Sequence, residues 1–164
     1  MNAKDVIRMT LGASDMILTK YIDDLSDADL TVVPIEGMNH IAWQVGHLIA
    51  TERMMVEGLK PGTSPALPAG FEAAHPRDEK ERPADPKAYK SRAEYLALFK
   101  AQRAATLAAL DAASDADLDA PAPERFQRMC PTAGAVFNLA GTHILMHVGQ
   151  FVAVRRALKK PIAI

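Results

Sequence analysis

Two histidines lie four residues apart in the segment HILMHVGQ, residues 143 to 150. On a helix this spacing places His143 and His147 on one face, one turn apart, so that both rings can reach a single metal ion. The neighbouring positions are apolar, and a polar ring buried among them without a partner would cost roughly 1–3 kcal/mol. The pair therefore predicts either metal ligands or histidines that are hydrogen-bonded within a core.

A third histidine lies in the segment HIAWQVGHLIATE, residues 40 to 52, on a second apolar helix. If this helix faces the one carrying the pair, His47 converges with His143 and His147. Three neutral nitrogen ligands suit a divalent metal, Zn²⁺ or Ni²⁺ above all, and leave coordination positions open, as in catalytic sites. Three further side chains project within about 60° of His47 and could orient the ligands. They are His40, Gln44 and Thr51.

Four helical segments must position these histidines, and apolar residues recur at helical spacing in each of them. The predicted helices span residues 3 to 25, about 40 to 57, 87 to 112, and from a cap at residue 132 to about 158. Asn39 and Thr132 are the predicted N-caps of the second and fourth helices. No strand pattern competes with these helices. The sequence thus predicts an all-α fold, a four-helix bundle with a long proline-rich crossover between helices 2 and 3.

The crossover, residues 59 to 86, holds six of the eleven prolines of the chain. Proline fixes φ and lacks an N–H, so this density predicts no regular helix within the segment. Connections of such length are typical of functional lids or of mobile segments, and the sequence does not decide between the two. His75 lies in the crossover and is predicted to be solvated.

Length and composition indicate one soluble domain. The 164 residues, 17.7 kDa, fit a single domain over residues 1–164. A formal net charge of −1 offers no broad positive surface, so no nucleic acid partner is expected. Cys130 is the only cysteine and the N-terminus lacks a signal pattern, which favours a reducing, cytoplasmic location.

The stretch from residue 129 to 154 contains no charged side chain and is long enough to span a bilayer. However, Asn138, Thr142, Gln150 and the two histidines interrupt it, and polar groups are costly in lipid. The stretch is therefore predicted to be a buried helix of a bundle, and no membrane partner is expected.

The segments NHIAWQVGHLIATE and HILMHVGQFVAVRR together resemble the DinB-like superfamily, the DinB/YfiT-like metalloenzymes, and the likeness extends over nearly the whole chain. The resemblance implies a four-helix bundle with a long crossover between helices 2 and 3. It also implies a metal site of one histidine from helix 2 and two from helix 4, positions matched here by His47, His143 and His147. A homodimer is expected, as in many relatives.

The resemblance leaves the reaction open. Characterised relatives include transferases and isomerases that use low-molecular-weight thiols, such as bacillithiol and mycothiol. The leading hypothesis is a metal-dependent enzyme that transfers a small thiol onto a small-molecule substrate, since coordination to the metal would deprotonate the thiol. No catalytic residue beyond the ligands is assigned.

Two alternatives remain beside the thiol transferase. One is a metal-activated hydrolase, for which Glu52 is the nearby candidate base. Its side chain projects about 140° away from His47, which counts modestly against hydrolysis. The other is a non-enzymatic, stress-associated protein that binds a metal or a small ligand.

Overall fold

The computed structural model describes residues 1–163, with Glu79 described by its backbone alone; residue 164 of the predicted domain lies outside the described residues. Four long helices account for most of the chain, and no β-strand occurs within residues 1–163. The long helices are α1 (Ala3–Ile22), α2 (Ile41–Leu59), α4 (Arg92–Ala112) and α7 (Ala133–Ala157). Short helices are α3 (Phe71–Ala74), α5 (Asp115–Asp119) and α6 (Glu124–Gln127). The predicted all-α four-helix bundle is confirmed.

The order of the helices around the bundle differs from their order along the chain. The main neighbours of α7 are α1 and α2, while α4 contacts α2 and α1, so that α1 and α2 lie diagonally opposite each other. At Gly141, an added Cβ would lie 2.8 Å from Thr10 Cγ2, so the glycine allows α7 to approach α1 closely. The arrangement brings α2 and α7 together, as the convergence of the three histidines requires.

Side-chain caps explain where α2 and α7 begin. Thr132 caps α7 as predicted, and its hydroxyl accepts a hydrogen bond from Ala135 N at 3.3 Å. For α2 the predicted cap was wrong by one residue, because His40 Nδ1 accepts from Trp43 N at 3.1 Å. Asn39 is engaged differently: its side-chain oxygen accepts from Arg82 and its carbonyl accepts from Gln44.

Two other predicted helices were longer than the helices in the structure. The first helix ends at Ile22 rather than at residue 25, and the guanidinium of Arg92 donates to the carbonyl oxygens of Asp23 and Leu25 beyond this end. The third begins at Arg92 rather than at residue 87. A capping box fixes this start, since Ser91 and Glu94 each accept a hydrogen bond from the other's backbone N–H.

The crossover packs against the bundle. Contrary to the prediction of no regular helix, it contains the single turn α3, in addition to 3₁₀ turns at Glu79–Glu81 and Pro86–Ala88. Phe71 of α3 is 2 % exposed and joins the core cluster that includes Tyr95 and Phe99 of α4. Burial of this aromatic ring ties the crossover to the bundle through the hydrophobic effect.

Among residues 1–163, no helix combines the length and the apolar character needed to cross a bilayer. The uncharged stretch of α7 instead supplies Val136, Ile144, Val148 and Phe151 to the core, all of them buried.

Candidate metal centre

The three predicted ligands converge between α2 and α7. One nitrogen from each of His47, His143 and His147 can be chosen so that all three lie within 4.8 Å of one another. The Nε2 atoms of His143 and His147 are 3.2 Å apart. Two nitrogens bound to one tetrahedral ion at about 2.1 Å lie about 3.4 Å from each other, so this pair already has a suitable separation. The set of donors therefore fits a divalent cation.

Gln44 fixes the orientation and the tautomer of His147. Gln44 Nε2 donates to the carbonyl oxygen of Asn39 at 2.8 Å, and a carbonyl can only accept, so the orientation of the amide is determined. Gln44 Oε1 then faces His147 Nδ1 at 3.0 Å. Nδ1 must carry the proton that makes this bond, which leaves a lone pair on Nε2. An amide in this position serves as the hydrogen-bond partner that metal-binding histidines generally have.

Two residues of α2 position His47. The ring of Trp43 stacks on that of His47, with centroids 4.9 Å apart and an angle of 10° between the planes. Thr51 Oγ1 lies 3.5 Å from His47 Nε2, at the limit of a hydrogen bond. Both contacts follow from the helical spacing of four residues. Of the three orienting residues that were predicted, Gln44 and Thr51 contact the histidines, whereas His40 caps the helix.

Burial keeps the three imidazoles uncharged at neutral pH. Desolvation, with a smaller contribution from the neighbouring histidines, lowers the pKa of His143 and His147 to about 4. It also lowers the pKa of His47, where Arg77 and His75 contribute less. Neutral imidazole is the form that binds metals, so binding of a cation requires no net loss of protons from the three rings.

Replacing Gln44 by leucine is expected to weaken metal binding about 10–100-fold, because His147 loses the acceptor that fixes its tautomer. The dissociation constant can be measured by competition with a chromophoric chelator. Gln44→Glu is the matched control, since its carboxylate still accepts from Nδ1, and it should bind metal more tightly than Gln44→Leu does. Equal affinity in wild type and Gln44→Leu would contradict this role.

His75 is not solvated, and the prediction from sequence was wrong. The residue is 4 % exposed; Nδ1 donates to Phe71 O at 2.7 Å and Nε2 accepts from the hydroxyl of Tyr95 at 2.7 Å. Its ring lies directly against the backbone of α2 at Gly46, the residue before His47. The spacing Phe71-x-x-x-His75 was the available sign of a helical turn within the crossover. The prediction relied instead on the proline content of the segment, which indicates irregular structure.

Replacing Gly46 by alanine is expected to destabilise the protein by roughly 1–3 kcal/mol, because the new Cβ would overlap the ring of His75. The crossover should then become more susceptible to limited proteolysis, and the thermal midpoint should fall. Gly12→Ala in α1 is the control: nothing lies within 4 Å of its Cβ position, and alanine favours a helix by up to about 1 kcal/mol. A midpoint of Gly46→Ala equal to or above that of the wild type would contradict the close contact with His75.

Glu52 points away from the histidines into a buried polar cluster. Its carboxylate accepts from Arg103 Nη2 at 2.9 Å and from Thr106 Oγ1 at 2.7 Å. Arg103 Nη1 also donates to the carbonyl of Leu11 at 2.8 Å, which connects α2, α4 and α1. Among the described residues, no carboxylate joins the cluster of three histidines. The helical angle correctly predicted that Glu52 projects away from the histidines. The sequence did not identify Arg103 and Thr106 as its hydrogen-bond partners.

Comparison with known proteins agrees with this fold. A family model described as the DinB superfamily matches residues 11–151. The solved structure of YfiT from Bacillus subtilis aligns with a TM-score of 0.64 at 18 % identity, covering 96 % of this chain and 89 % of YfiT. That protein is described as a probable metal-dependent hydrolase with an unusual four-helix bundle topology. No curated protein matches the chain.

Proposed function

The chain belongs to the DinB superfamily, and we propose on this premise that it is a metal-dependent enzyme. His47, His143 and His147 would hold one divalent cation, Zn²⁺ or Ni²⁺. The observation that carries the proposal is the convergence of these three imidazoles from α2 and α7, all with lowered pKa. Three protein ligands leave at least one coordination position for a reactant, which is the arrangement of catalytic rather than structural sites.

The residues around the histidines would hold the ligand set in place. Gln44 keeps the lone pair of His147 on Nε2, and stacking on Trp43 restricts rotation of the His47 ring. When bound, the cation would act as a Lewis acid and lower the pKa of a coordinated thiol or water. The crossover lies against α2 beside the site through His75, and it would limit the access of solvent from that side.

A small thiol is the reactant that this site favours. Hydrolysis usually employs a carboxylate as general base, and Glu52, the candidate from sequence, is bound by Arg103 and Thr106. A thiol has an ordinary pKa of about 8.5, so coordination alone would give thiolate at neutral pH. The proposed reaction therefore transfers a low-molecular-weight thiol to an electrophilic small molecule.

Metal-activated hydrolysis is the second candidate, and the observation that favours it is the structural likeness to YfiT, the probable hydrolase. At 18 % identity this likeness shows the shared fold alone, so hydrolysis is a proposal made by analogy with YfiT. A coordinated water with a pKa lowered toward neutrality would then be the nucleophile, with no carboxylate among the described residues of the histidine cluster to assist it.

The two reactions can be separated with one set of proteins. Metal-loaded wild type and His143→Ala would be assayed for conjugation of bacillithiol, mycothiol or glutathione to monochlorobimane, and for hydrolysis of p-nitrophenyl esters. We expect conjugation above the uncatalysed rate in wild type and its loss in His143→Ala. Ester hydrolysis alone would favour the hydrolase. Saturable metal binding without either activity across wider panels would favour a non-enzymatic binding protein.

A further inference from the structure

A second candidate site lies where the crossover meets the beginning of α2. A cleft of about 460 Å³ opens there, and its lining includes His40, Lys80, Arg82 and Tyr89. His40 lies seven residues before His47, which corresponds to about 10 Å along the helix. The cleft is thus separate from the three histidines, and binding of a ligand there would not require a bound metal.

His40 presents a hydrogen-bond donor to this cleft. Its Nδ1 accepts from the backbone N–H of Trp43, so in the neutral ring the proton must be on Nε2. The residue is only 5 % exposed. Nevertheless Nε2 is neither fully buried nor hydrogen-bonded to any residue in the described part of the chain. A donor held rigidly by a helix cap therefore remains free for a ligand.

Two cationic side chains line the same cleft. Arg82 is anchored through Nη1, which donates to the carbonyl of Met38 at 3.1 Å and to the side-chain oxygen of Asn39. Its Nε and Nη2 have no partner among the described residues, so one edge of the guanidinium is available. Lys80 is exposed, and its ammonium forms no ion pair with any carboxylate that the structure describes.

Acidic residues neighbour this cleft in the sequence but are not among its described lining residues. Its lining contains no carboxylate among the residues described. The nearby carboxylates of Asp78 and Asp85 accept backbone N–H groups, those of Lys80 at 3.0 Å and Lys87 at 2.9 Å. The hydroxyl of Tyr89 donates to the carbonyl of Pro83 at 2.8 Å and is likewise engaged. The side chains of the cleft that offer a free nitrogen, those of His40, Lys80 and Arg82, are therefore donors.

We propose that this cleft binds the carboxylate or phosphate group of a small-molecule ligand. An oxyanion accepts several hydrogen bonds at once, and charge-assisted bonds from a guanidinium, an ammonium and an imidazole N–H match it in number and in sign. Arg82 and His40 are held by the backbone on either side of the start of α2, so the donors require little ordering when the ligand binds.

The test is titration calorimetry of the full-length protein with inorganic phosphate and with succinate, at constant ionic strength. At least one of the two anions should bind with one-to-one stoichiometry. Lys80→Glu should weaken this binding about tenfold or more, because one attractive charge becomes repulsive. Lys87→Glu makes the same change of net charge on the same segment but outside the lining, and it should bind as the wild type does. Phosphate and succinate compared side by side identify which oxyanion is preferred.

Two further variants test whether the anion binds in the cleft beside His40 or at the three histidines. His40→Asn should retain the helix cap, since asparagine is a good N-cap, but it lacks the Nε2–H, so affinity should fall while the thermal midpoint stays near that of the wild type. His143→Ala should leave anion binding unchanged. The proposal would be overturned if neither anion bound, if Lys80→Glu and Lys87→Glu lost affinity equally, or if His143→Ala abolished binding and Lys80→Glu did not.

Discussion

Near-stoichiometric divalent metal is expected in the untagged wild-type protein, and His143→Ala and His47→Ala are both expected to lose it. Loss of a residue that merely orients a ligand costs about 10–100-fold in affinity, so loss of a ligand should cost at least about 100-fold. The two variants remove nitrogens from different helices, α7 and α2. Joint loss would therefore demonstrate one site between the helices rather than two independent ones.

The measurement is elemental mass spectrometry after identical purification of all variants, and it also identifies the metal. His40→Asn is the matched control, because it removes a buried histidine that caps the same helix α2 and lies outside the cluster. Its metal content should equal that of the wild type. Equal trace amounts of metal in every protein would refute the metal centre. His143 and His147 would then be explained as a hydrogen-bonded pair, with Nε2 atoms 3.2 Å apart.

A large loss of stability is expected from Glu52→Ala, about 3–5 kcal/mol, without a comparable effect on metal content. Removal of one partner from a buried ion pair leaves the other charge unpaired, and Arg103 is only 3 % exposed. For a chain of this length, such a loss corresponds to a fall of roughly 6–20 °C in the thermal midpoint. Thermal unfolding followed by circular dichroism would measure it.

Glu72→Ala provides the comparison for Glu52→Ala, because its carboxylate pairs with Arg53 at 3.9 Å and its side chain is 72 % exposed. Exposed pairs contribute little, so the midpoint should change by less than about 2 °C. If Glu52→Gln retained both fold and metal but lost turnover, Glu52 would have a direct part in catalysis. That result would favour the hydrolase over the thiol transferase.

The histidine site and the Glu52 cluster illustrate two ways of satisfying buried polar groups. Around His147 the amide of Gln44 leaves one ring nitrogen with a free lone pair. Around Glu52, the guanidinium of Arg103 and the hydroxyl of Thr106 occupy both carboxylate oxygens. Free acceptors directed at one point are suited to a cation, whereas a carboxylate whose two oxygens both accept hydrogen bonds is suited to a structural role.

The sequence by itself determined the four long helices and which residues share one side of each helix. The 3.6-residue period places His143 and His147 on one side of α7, and Gln44 and Thr51 on the side of α2 that carries His47. These relations are local and depend only on the geometry of the helix. For the same reason the predicted cap of α7 follows from Thr132 and Ala135, three positions apart.

Tertiary structure alone decided what the crossover does and which distant groups pair. Burial of His75 depends on Tyr95, twenty residues away, and on the absence of a side chain at Gly46. The pairing of Glu52 with Arg103 joins residues 51 positions apart, and Arg82 lines the cleft beside His40 while donating to Met38 and Asn39, more than forty residues earlier. Such contacts depend on how the helices pack and on where a proline-rich segment turns. The periodicity of the sequence contains no information about either.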